Sequence, residues 1–336
     1  MPHPTPQSEL ALAAQHDAAG QYDEAINALA RGTGAGDLAC KTQLGKRLLA
    51  GDRAPALPAE GARFLHEAAV EGEPEAAARM AALTALGHYF KQSWQGAVRW
   101  LMVAAERGWE PARGQLRVLA DGTPHIDLES WSTRPPGHDL SAEPQVRAVH
   151  DFITPAACDW LIARARSRLT RARVYDPVNR EDVVRATRTN RVANFSLADV
   201  EFLDVLLQAK MSCTCGIPMN QMEAPAVLHY SLGEEASDHF DFVNPNIPDY
   251  AQEIARNGQR VMTFLVYLNE DYEGGETGFP KLGFSHKGRR GQGLFFVNAY
   301  SDLQPDLRML HAGRAPLRGE KWIVSQFIRS RPTRGG

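Results

Sequence analysis

The sequence predicts an α+β protein in which an N-terminal α-helical repeat array is followed by a double-stranded β-helix, or jelly-roll, domain with supporting helices. Three observations lead to this prediction. The chain has 336 residues, enough for about two domains of the usual ~100 to 200 residues. Its first third repeats itself at an interval of 36 residues. Its second half carries short runs of strand-forming residues, separated by glycine and proline turns.

The composition is that of a globular protein, with 43% hydrophobic and 23% charged residues. Lysine and arginine (37) nearly balance aspartate and glutamate (40), so a net charge of -3 gives no general attraction for nucleic acid. There is no apolar run of about 18 residues, and residues 1–6 lack the basic-then-apolar pattern of a secretory signal. We therefore expect a cytoplasmic protein that binds neither nucleic acid nor membrane. Four scattered cysteines are too few for a disulfide framework.

The N-terminal repeat extends over residues 1–122. Its recurring positions include Gly36, Gly72 and Gly108, and Leu29, Leu65 and Leu101. This period is typical of stacked helix-turn-helix units, in which glycines end helices and small alanines allow close contact. Residues 61–72 resemble the second helix of the Sel-type tetratricopeptide-like repeats.

Arrays of this kind usually present a concave face to a peptide or partner protein, and the alternative is a packing platform for the rest of the chain. Phe64 and Trp100 occupy equivalent repeat positions, so we predict that both are core residues. Tyr89, Phe90 and Trp94 break the repeat pattern and are the candidates for a binding groove.

Residues 123–146 contain four prolines and one glycine with little periodicity, and we interpret them as a linker. The second domain, residues 147–331, begins with a helix that has Thr154 as its N-cap and Pro155 at its first position. A second helix is predicted for residues 199–211. The predicted strands cover residues 226–230, 260–268, 293–298 and 322–328. Several short strands behind one or two helices favour an antiparallel double sheet.

A possible metal site lies in this domain. In an extended segment, residues two apart point to the same side, so His239 and Asp241 converge. A histidine far downstream would complete the two-histidine, one-carboxylate set that leaves three positions open on Fe(II). We favour His311. His286 is the alternative, but Lys287 follows it at the start of a basic turn.

The surroundings of these residues resemble the prolyl 4-hydroxylase branch of the Fe(II)/2-oxoglutarate dioxygenases over about residues 147–330. The matching stretches are residues 229–235, 239–242, 263–268, 274–280, 311–313 and 319–322. The resemblance implies Fe(II) bound by His239, Asp241 and His311, with 2-oxoglutarate and dioxygen as cosubstrates and ascorbate supporting activity. It also implies catalytic hydroxylation coupled to decarboxylation of 2-oxoglutarate to succinate. Halogenating relatives lack the carboxylate, so Asp241 favours hydroxylation.

The same resemblance assigns the cosubstrate contacts. A lysine lies ten positions after the second iron histidine in the family, and here that residue is Lys321. Its compact cation suits the distal carboxylate of 2-oxoglutarate. By resemblance, Tyr230 and Thr277 add hydrogen bonds to the same molecule. The alternative for Thr277 is a residue that only shapes the glycine turn.

The substrate is less well defined by the sequence. Residues 171–194 carry six arginines where related enzymes have a mobile loop over the substrate, although a solvated basic connection fits equally well. Animal collagen hydroxylases also join a tetratricopeptide-type segment to this catalytic class. That analogy favours a peptide, protein or carrier-bound substrate, which the repeats would hold. The alternatives are a small-metabolite or free amino acid hydroxylase whose repeats serve assembly, and an inactive interaction scaffold.

Overall fold

The computed structural model describes residues 8–123, 126–176 and 181–333. The chain divides into two compact units. The first consists of Met1–Ile126 and Ser196–Leu206, and the second of Asp127–Phe195 and Leu207–Gly336. Within the described residues, every helix is too short or too polar to cross a bilayer.

The first unit contains the repeat helices. They are α1 (Glu9–Ala18), α2 (Tyr22–Gly34), α3 (Leu38–Ala50), α4 (Pro58–Glu71), α5 (Pro74–Leu86), α6 (Trp94–Glu106) and α7 (Glu110–Ala120). The recurring glycines lie just beyond α2, α4 and α6, where Gly36, Gly72 and Gly108 have φ values of 85°, 123° and 93°. A side chain is strained at such angles, so the 36-residue period is imposed by the helix ends.

The packing of the repeats differs from the sequence prediction at the aromatic positions. Phe64 and Trp100, predicted as core residues, are only half-buried. The Trp100 ring instead meets the edge of the His66 ring, with centroids 6.1 Å apart. The core is formed mainly by alanine and leucine, since Leu65, Leu101 and the alanines of α5 and α6 are almost completely buried. Phe64 packs, partly buried, against the neighbouring cluster that contains Leu44 and Leu48.

The first unit also holds a segment that is distant in sequence, Ser196–Leu206. The buried Arg79 of α5 donates a hydrogen bond to the carbonyl oxygen of Val200 over 2.9 Å and forms an ion pair with Glu201. The Nε2 of Gln115 donates to the other Glu201 oxygen over 2.7 Å. Trp94, a predicted groove residue, has its ring centroid 6.3 Å from that of Phe202. Trp94 is therefore packed against this segment, whereas Tyr89 is exposed.

The second unit is mainly antiparallel sheet. Its helices are α8 (Glu129–Ser132), α9 (Pro155–Arg166), α10 (Phe202–Cys215), which begins in the first unit, and α11 (Pro248–Asn257). Its strands are β1 (Gly137–Ser141), β2 (Val146–Val149), β3 (Thr170–Arg171), β4 (Val174–Asp176), β5 (Glu181–Val183), β6 (Arg191–Asn194), β7 (Ala226–Tyr230), β8 (Ala236–His239), β9 (Arg260–Tyr267), β10 (Glu273–Gly274), β11 (Thr277–Phe279), β12 (Phe284–His286), β13 (Gly293–Val297), β14 (His311–Gly313), β15 (Pro316–Arg318) and β16 (Lys321–Arg329).

Two sheets form the predicted jelly roll. The larger has the order β1-β2-β13-β9-β16-β7-β6-β3, and the smaller has the order β12-β11-β14-β8. A core cluster joins inward-facing residues of both sheets, among them Leu228, Leu265, Phe279, Leu294 and Ile323. The fold class predicted from the sequence, α+β with a helical array before a jelly roll, is confirmed.

Two local predictions need correction. The stretch interpreted as a linker, residues 123–146, contains α8 and β1, and β1 pairs with β2 at the edge of the larger sheet. An edge strand tolerates the neighbouring prolines that suggested a connection. The helix predicted at residues 199–211 begins later, at Phe202, because the Asp204 side chain accepts a hydrogen bond from the Glu201 N–H and marks the helix start there.

Candidate active site

Three potential metal ligands converge in the second unit. His239 ends β8, Asp241 follows two residues later, and His311 begins β14, directly opposite His239 in the pairing of the two strands. One ligand atom from each of the three side chains lies within 4.8 Å of the others. The structure thus brings together the three residues that the sequence singled out, and two nitrogens with one carboxylate oxygen suit Fe(II).

Both imidazoles are held in the tautomer that a metal requires. The Nδ1 of His239 lies 2.8 Å from the Ser237 carbonyl oxygen, and the Nδ1 of His311 lies 3.0 Å from the Met309 carbonyl oxygen. A carbonyl only accepts, so each Nδ1 carries a proton and each Nε2 is left to bind a metal or, without one, a second proton. These Nε2 atoms lie 3.4 Å and 3.2 Å from the Asp241 carboxylate oxygens. Although burial opposes it, Asp241 raises the pKa of His311, so this point favours positive charge and a shared metal cation fits there.

The carboxylate of Asp241 is oriented by two residues that sequence reasoning left without a role. The Thr263 hydroxyl donates to Oδ2 of Asp241 over 2.7 Å, and the Asn298 side-chain amide donates to that hydroxyl over 2.9 Å. Burial alone would raise the pKa of Asp241, but the His311 and His239 imidazoles hold the pKa of this carboxyl well below its usual range. Asp241 is therefore a charged ligand. The signal for Thr263 that the sequence offered was its position in the mostly apolar strand predicted at residues 260–268.

Lys321, the first residue of β16, is completely buried, and its ammonium has no hydrogen-bond partner among the described residues. Burial lowers the pKa of Lys321 to about 7, although Glu276 opposes the shift. Lys321 lies opposite Tyr230 in the strand pairing, with Nζ 5.1 Å from that ring centroid. An unpaired buried cation is unfavourable by itself, so this position fits a bound anion such as a carboxylate.

Thr277 lies in the same region. It is buried on β11, and its hydroxyl is 2.8 Å from the hydroxyl of Tyr267. The Tyr267 ring centroid is 5.9 Å from the Lys321 Nζ. Tyr230, Thr277 and Lys321, the three residues expected to contact one cosubstrate, are therefore grouped around one buried space.

The alternative ligand His286 lies elsewhere. It is on β12, and its Nε2 is 3.2 Å from the Oε1 of Gln292. Among the described residues, the cluster of potential metal ligands contains His239, Asp241 and His311 but not His286.

A cavity of about 1000 Å³ opens in front of His239 and Asp241. Five aromatic side chains are among its lining residues, namely Tyr175, Tyr250, Phe240, Phe242 and Phe327. Tyr175 of β4 lies against Tyr250 of α11 at this wall, with ring centroids 5.9 Å apart. Arg188 also lines the cavity, and its buried Nε has no hydrogen-bond partner among the described residues. The arginine-rich stretch thus contributes to the cavity wall, and Arg180 of that stretch lies outside the described residues.

Comparison with known proteins shows which family contains a site of this kind. The sequence model of the 2OG-Fe(II) oxygenase superfamily matches residues 225–329. Prolyl 4-hydroxylase 1 of Arabidopsis thaliana is 31% identical over 232 residues, covering 64% of this chain and 76% of the relative. Prolyl 4-hydroxylase 2 of the same plant is 30% identical over 210 residues, covering 56% and 68%. The chain belongs to the prolyl 4-hydroxylase family.

As a prolyl 4-hydroxylase family member, the chain is an Fe(II)- and 2-oxoglutarate-dependent oxygenase that uses dioxygen. The solved structures to which this chain is similar include the viral collagen prolyl hydroxylase of Paramecium Bursaria Chlorella virus-1 in complex with 2OG. It has 25% identity and a TM-score of 0.43, over 55% of this chain and 96% of that chain. A Sel1 repeat protein from Oxalobacter formigenes has 22% identity and a TM-score of 0.32, over 37% and 54%.

The geometry of this family member fits its two cofactors. The lone pairs of His239 and His311 and the charged Asp241 form a donor set for Fe(II). The unpaired Lys321 ammonium offers the buried cation that a dicarboxylate requires.

Proposed function

We propose that the chain hydroxylates a prolyl residue within a peptide or protein. The observation that carries this proposal is that two metal ligands border an open cavity, whereas the lysine ammonium is fully buried. His239 and Asp241 line a space of about 1000 Å³ that is large enough for a segment of polypeptide, whereas Lys321 is fully buried. Substrate and cosubstrate would thus approach the metal ligands from different sides.

The proposal gives each site residue a role. His239, Asp241 and His311 would hold Fe(II), while Lys321, Tyr230 and Thr277 would bind 2-oxoglutarate. Bound Fe(II) and 2-oxoglutarate would supply the oxidation of an unactivated C–H bond by dioxygen, of which one oxygen atom enters the product hydroxyl and the other enters succinate as 2-oxoglutarate loses carbon dioxide. The chain itself fixes the Asp241 carboxylate through Thr263, keeps the Nε2 lone pairs of both histidines free, and excludes water from the region around Lys321.

The cavity wall supports a prolyl substrate. Aromatic rings on both sides, such as Tyr175 and Phe240, provide apolar faces against which a pyrrolidine ring packs. Arg188 lines the cavity, and its buried Nε has no hydrogen-bond partner among the described residues, so the guanidinium is suited to a backbone carbonyl or carboxylate of the substrate. The relatives named prolyl 4-hydroxylases support the same substrate class.

Proline-containing peptides should be much better substrates than free proline. We expect at least about 100-fold higher kcat/KM for peptides, because contacts away from the reacting carbon contribute binding energy that a free amino acid lacks. Succinate formation, together with mass spectrometry for one added oxygen, measures this with enzyme, iron, ascorbate and 2-oxoglutarate. Ascorbate is expected to prolong turnover, and omitting it tests that role.

The matched control for this assay is the Asp241→Ala enzyme, which should leave the peptides unmodified. Equal or faster hydroxylation of free proline or another small metabolite would instead support the small-molecule alternative. A cytoplasmic location stays a prediction from the sequence.

A second part of the proposal concerns the N-terminal helical repeat array. Arg79, Gln115 and Trp94 contact Ser196–Leu206, so these residues are engaged within the chain. We propose that this part of the array supports the fold, and that any contact with substrate is confined to the exposed face around Tyr89.

Replacing Arg79 by methionine should therefore destabilise the protein. The change leaves the buried Glu201 without its cation, and breaking such a pair typically lowers the free energy of unfolding by about 3 kcal/mol or more. Chemical denaturation followed by circular dichroism measures this. Arg63→Met is the control, since the exposed Arg63 forms surface ion pairs with Glu60 and Glu67 of its own helix. Unchanged stability with a raised KM for peptide would instead show that Arg79 binds substrate.

A further inference from the structure

Tyr272 lies between β9 and β10, and the activity described above gives it no role. The residue is 3% exposed, and its hydroxyl has no hydrogen-bond partner among the described residues. A buried hydroxyl without a partner lowers stability, and such groups in native proteins commonly await a ligand or water. A phenylalanine would fill the same space without this penalty. The hydroxyl therefore calls for a functional explanation.

The position of the ring relates Tyr272 to Lys321. Gly275 adopts a φ of 69° and lies beside both side chains. A Cβ atom placed on Gly275 would lie 2.9 Å from Cε2 of Tyr272 and 3.6 Å from Cδ of Lys321. The edge of the phenol ring and the stem of the lysine thus border the same point of the backbone.

Other polar groups border the remaining sides of the Tyr272 ring. Lys287 donates a hydrogen bond to the Tyr272 carbonyl oxygen, and its Nζ lies 4.7 Å from the ring centroid, over the face. Burial raises the pKa of the Tyr267 hydroxyl, and the phenols of Tyr272 and Tyr230 raise it further against the opposing hydrogen bond from Thr277. The Lys321 Nζ lies 5.1 Å from the Tyr230 ring centroid and 5.9 Å from that of Tyr267, so the three phenols and this ammonium are neighbours in one buried region.

We propose that the Tyr272 hydroxyl is a second donor to the distal carboxylate of 2-oxoglutarate, beside Lys321. This inference rests on the proposed role of Lys321 in holding that carboxylate. A carboxylate offers about four lone-pair positions, more than a single ammonium approaching from one direction occupies. Two unpaired donors in one dry region match one dicarboxylate end. Tyr272 would then favour keto diacids over keto monoacids.

The test compares two ligands on two proteins. Wild type and Tyr272→Phe, both loaded with Fe(II) under anaerobic conditions, are titrated with 2-oxoglutarate and with 2-oxopentanoate, which has a methyl group in place of the distal carboxylate. The visible absorbance of the chelate reports binding. We expect the Kd of 2-oxoglutarate to rise about 10-fold or more in Tyr272→Phe, the usual effect of one lost hydrogen bond to a charged group. The Kd of 2-oxopentanoate should not change.

Thermal melting gives an independent readout that does not depend on turnover. Ligand-free Tyr272→Phe should melt at the same or a higher temperature than wild type, because an unpaired buried hydroxyl is removed. The increase in melting temperature on adding 2-oxoglutarate should be smaller. Tyr300→Phe is the matched control, since the exposed Tyr300 lies outside this region. It should leave both titrations unchanged.

Three results would overturn the inference. Equal weakening of both ligands, or weakening of neither, would remove Tyr272 from the contact with the distal carboxylate. A lower melting temperature without ligand would show a structural role for the hydroxyl. A wild-type protein that binds both ligands equally well would contradict the proposed role of Lys321 itself, and this inference with it.

Discussion

Asp241→Ala is expected to abolish succinate formation from 2-oxoglutarate. The substitution removes the single charged ligand from the cluster and leaves the two imidazoles facing an empty position. It also leaves the buried Thr263 hydroxyl without its acceptor. Removing a residue that only supports a metal ligand typically lowers metal affinity or activity 10- to 100-fold. Loss of the ligand itself should exceed about 100-fold.

Two further variants make this prediction specific. Thr263→Ala keeps the carboxylate but removes its orienting hydroxyl, so we expect an intermediate loss of iron affinity of about 10-fold. Asp238→Asn changes a neighbouring carboxylate that pairs with Arg314 at 2.9 Å, and iron binding should persist. Iron content after dialysis and the absorbance of the anaerobic 2-oxoglutarate chelate measure these effects. Unimpaired succinate formation by Asp241→Ala would contradict the assignment of Asp241 as an iron ligand.

The convergence of the metal ligands was predictable because two of them are close in sequence. Residues two apart on an extended segment share a side, which brings His239 and Asp241 together. The third, His311, followed from the resemblance, and strand pairing places it directly opposite His239. The position of Lys321, ten residues later on the next long strand, followed in the same way. These predictions depend on strand periodicity and motif spacing, which the sequence displays directly.

The residues that support the site were not predictable in this way. Thr263 reaches Asp241 across 22 positions, and Asn298 reaches Thr263 across 35. Each pairing depends on which strands become neighbours in the larger sheet, and no local pattern specifies that order. The role of Tyr272 was not predictable for a similar reason, because a missing hydrogen-bond partner can be recognised only when the neighbours of the hydroxyl are known.

The contact between the repeat helices and the segment Ser196–Leu206 was not predictable either. Arg79 and Glu201 are 122 positions apart. No sequence pattern relates Arg79, in a repeat helix, to Glu201, which lies within the helix predicted at residues 199–211. Only the fold shows that the two charges are buried against each other, which favours a supporting role for that face of the array over a free groove.

Lys321→Met is expected to stabilise the ligand-free protein while removing its affinity for 2-oxoglutarate. The ammonium is fully buried without a hydrogen bond, and methionine fills a similar volume without charge. Binding of 2-oxoglutarate should weaken at least about 100-fold, because the distal carboxylate would lose its cation in a dry region. A gain in stability coupled to a loss of binding separates a ligand site from a structural lysine.

The pH dependence of the stabilisation follows from the pKa of Lys321, which burial lowers from 10.5 to about 7 in the folded protein. Below pH 7 both folded and unfolded chains carry the proton, so the full penalty of the buried charge, at most ~5 kcal/mol, is present. Between pH 7 and 10.5 the unfolded chain binds more protons, and the wild-type free energy of unfolding rises with pH. The advantage of Lys321→Met should therefore be largest below pH 7 and shrink above it.

Denaturant unfolding of the ligand-free proteins at pH 6, 8 and 9.5 measures this difference, with the exposed Lys281→Met as the control that should show none. If Lys321→Met were less stable than wild type at pH 6, the ammonium would have a partner inside the protein and would not be free for a carboxylate. If the stability gain appeared but 2-oxoglutarate still bound with wild-type affinity, the cosubstrate would lie elsewhere. The two measurements together therefore decide whether this buried charge is kept for its ligand.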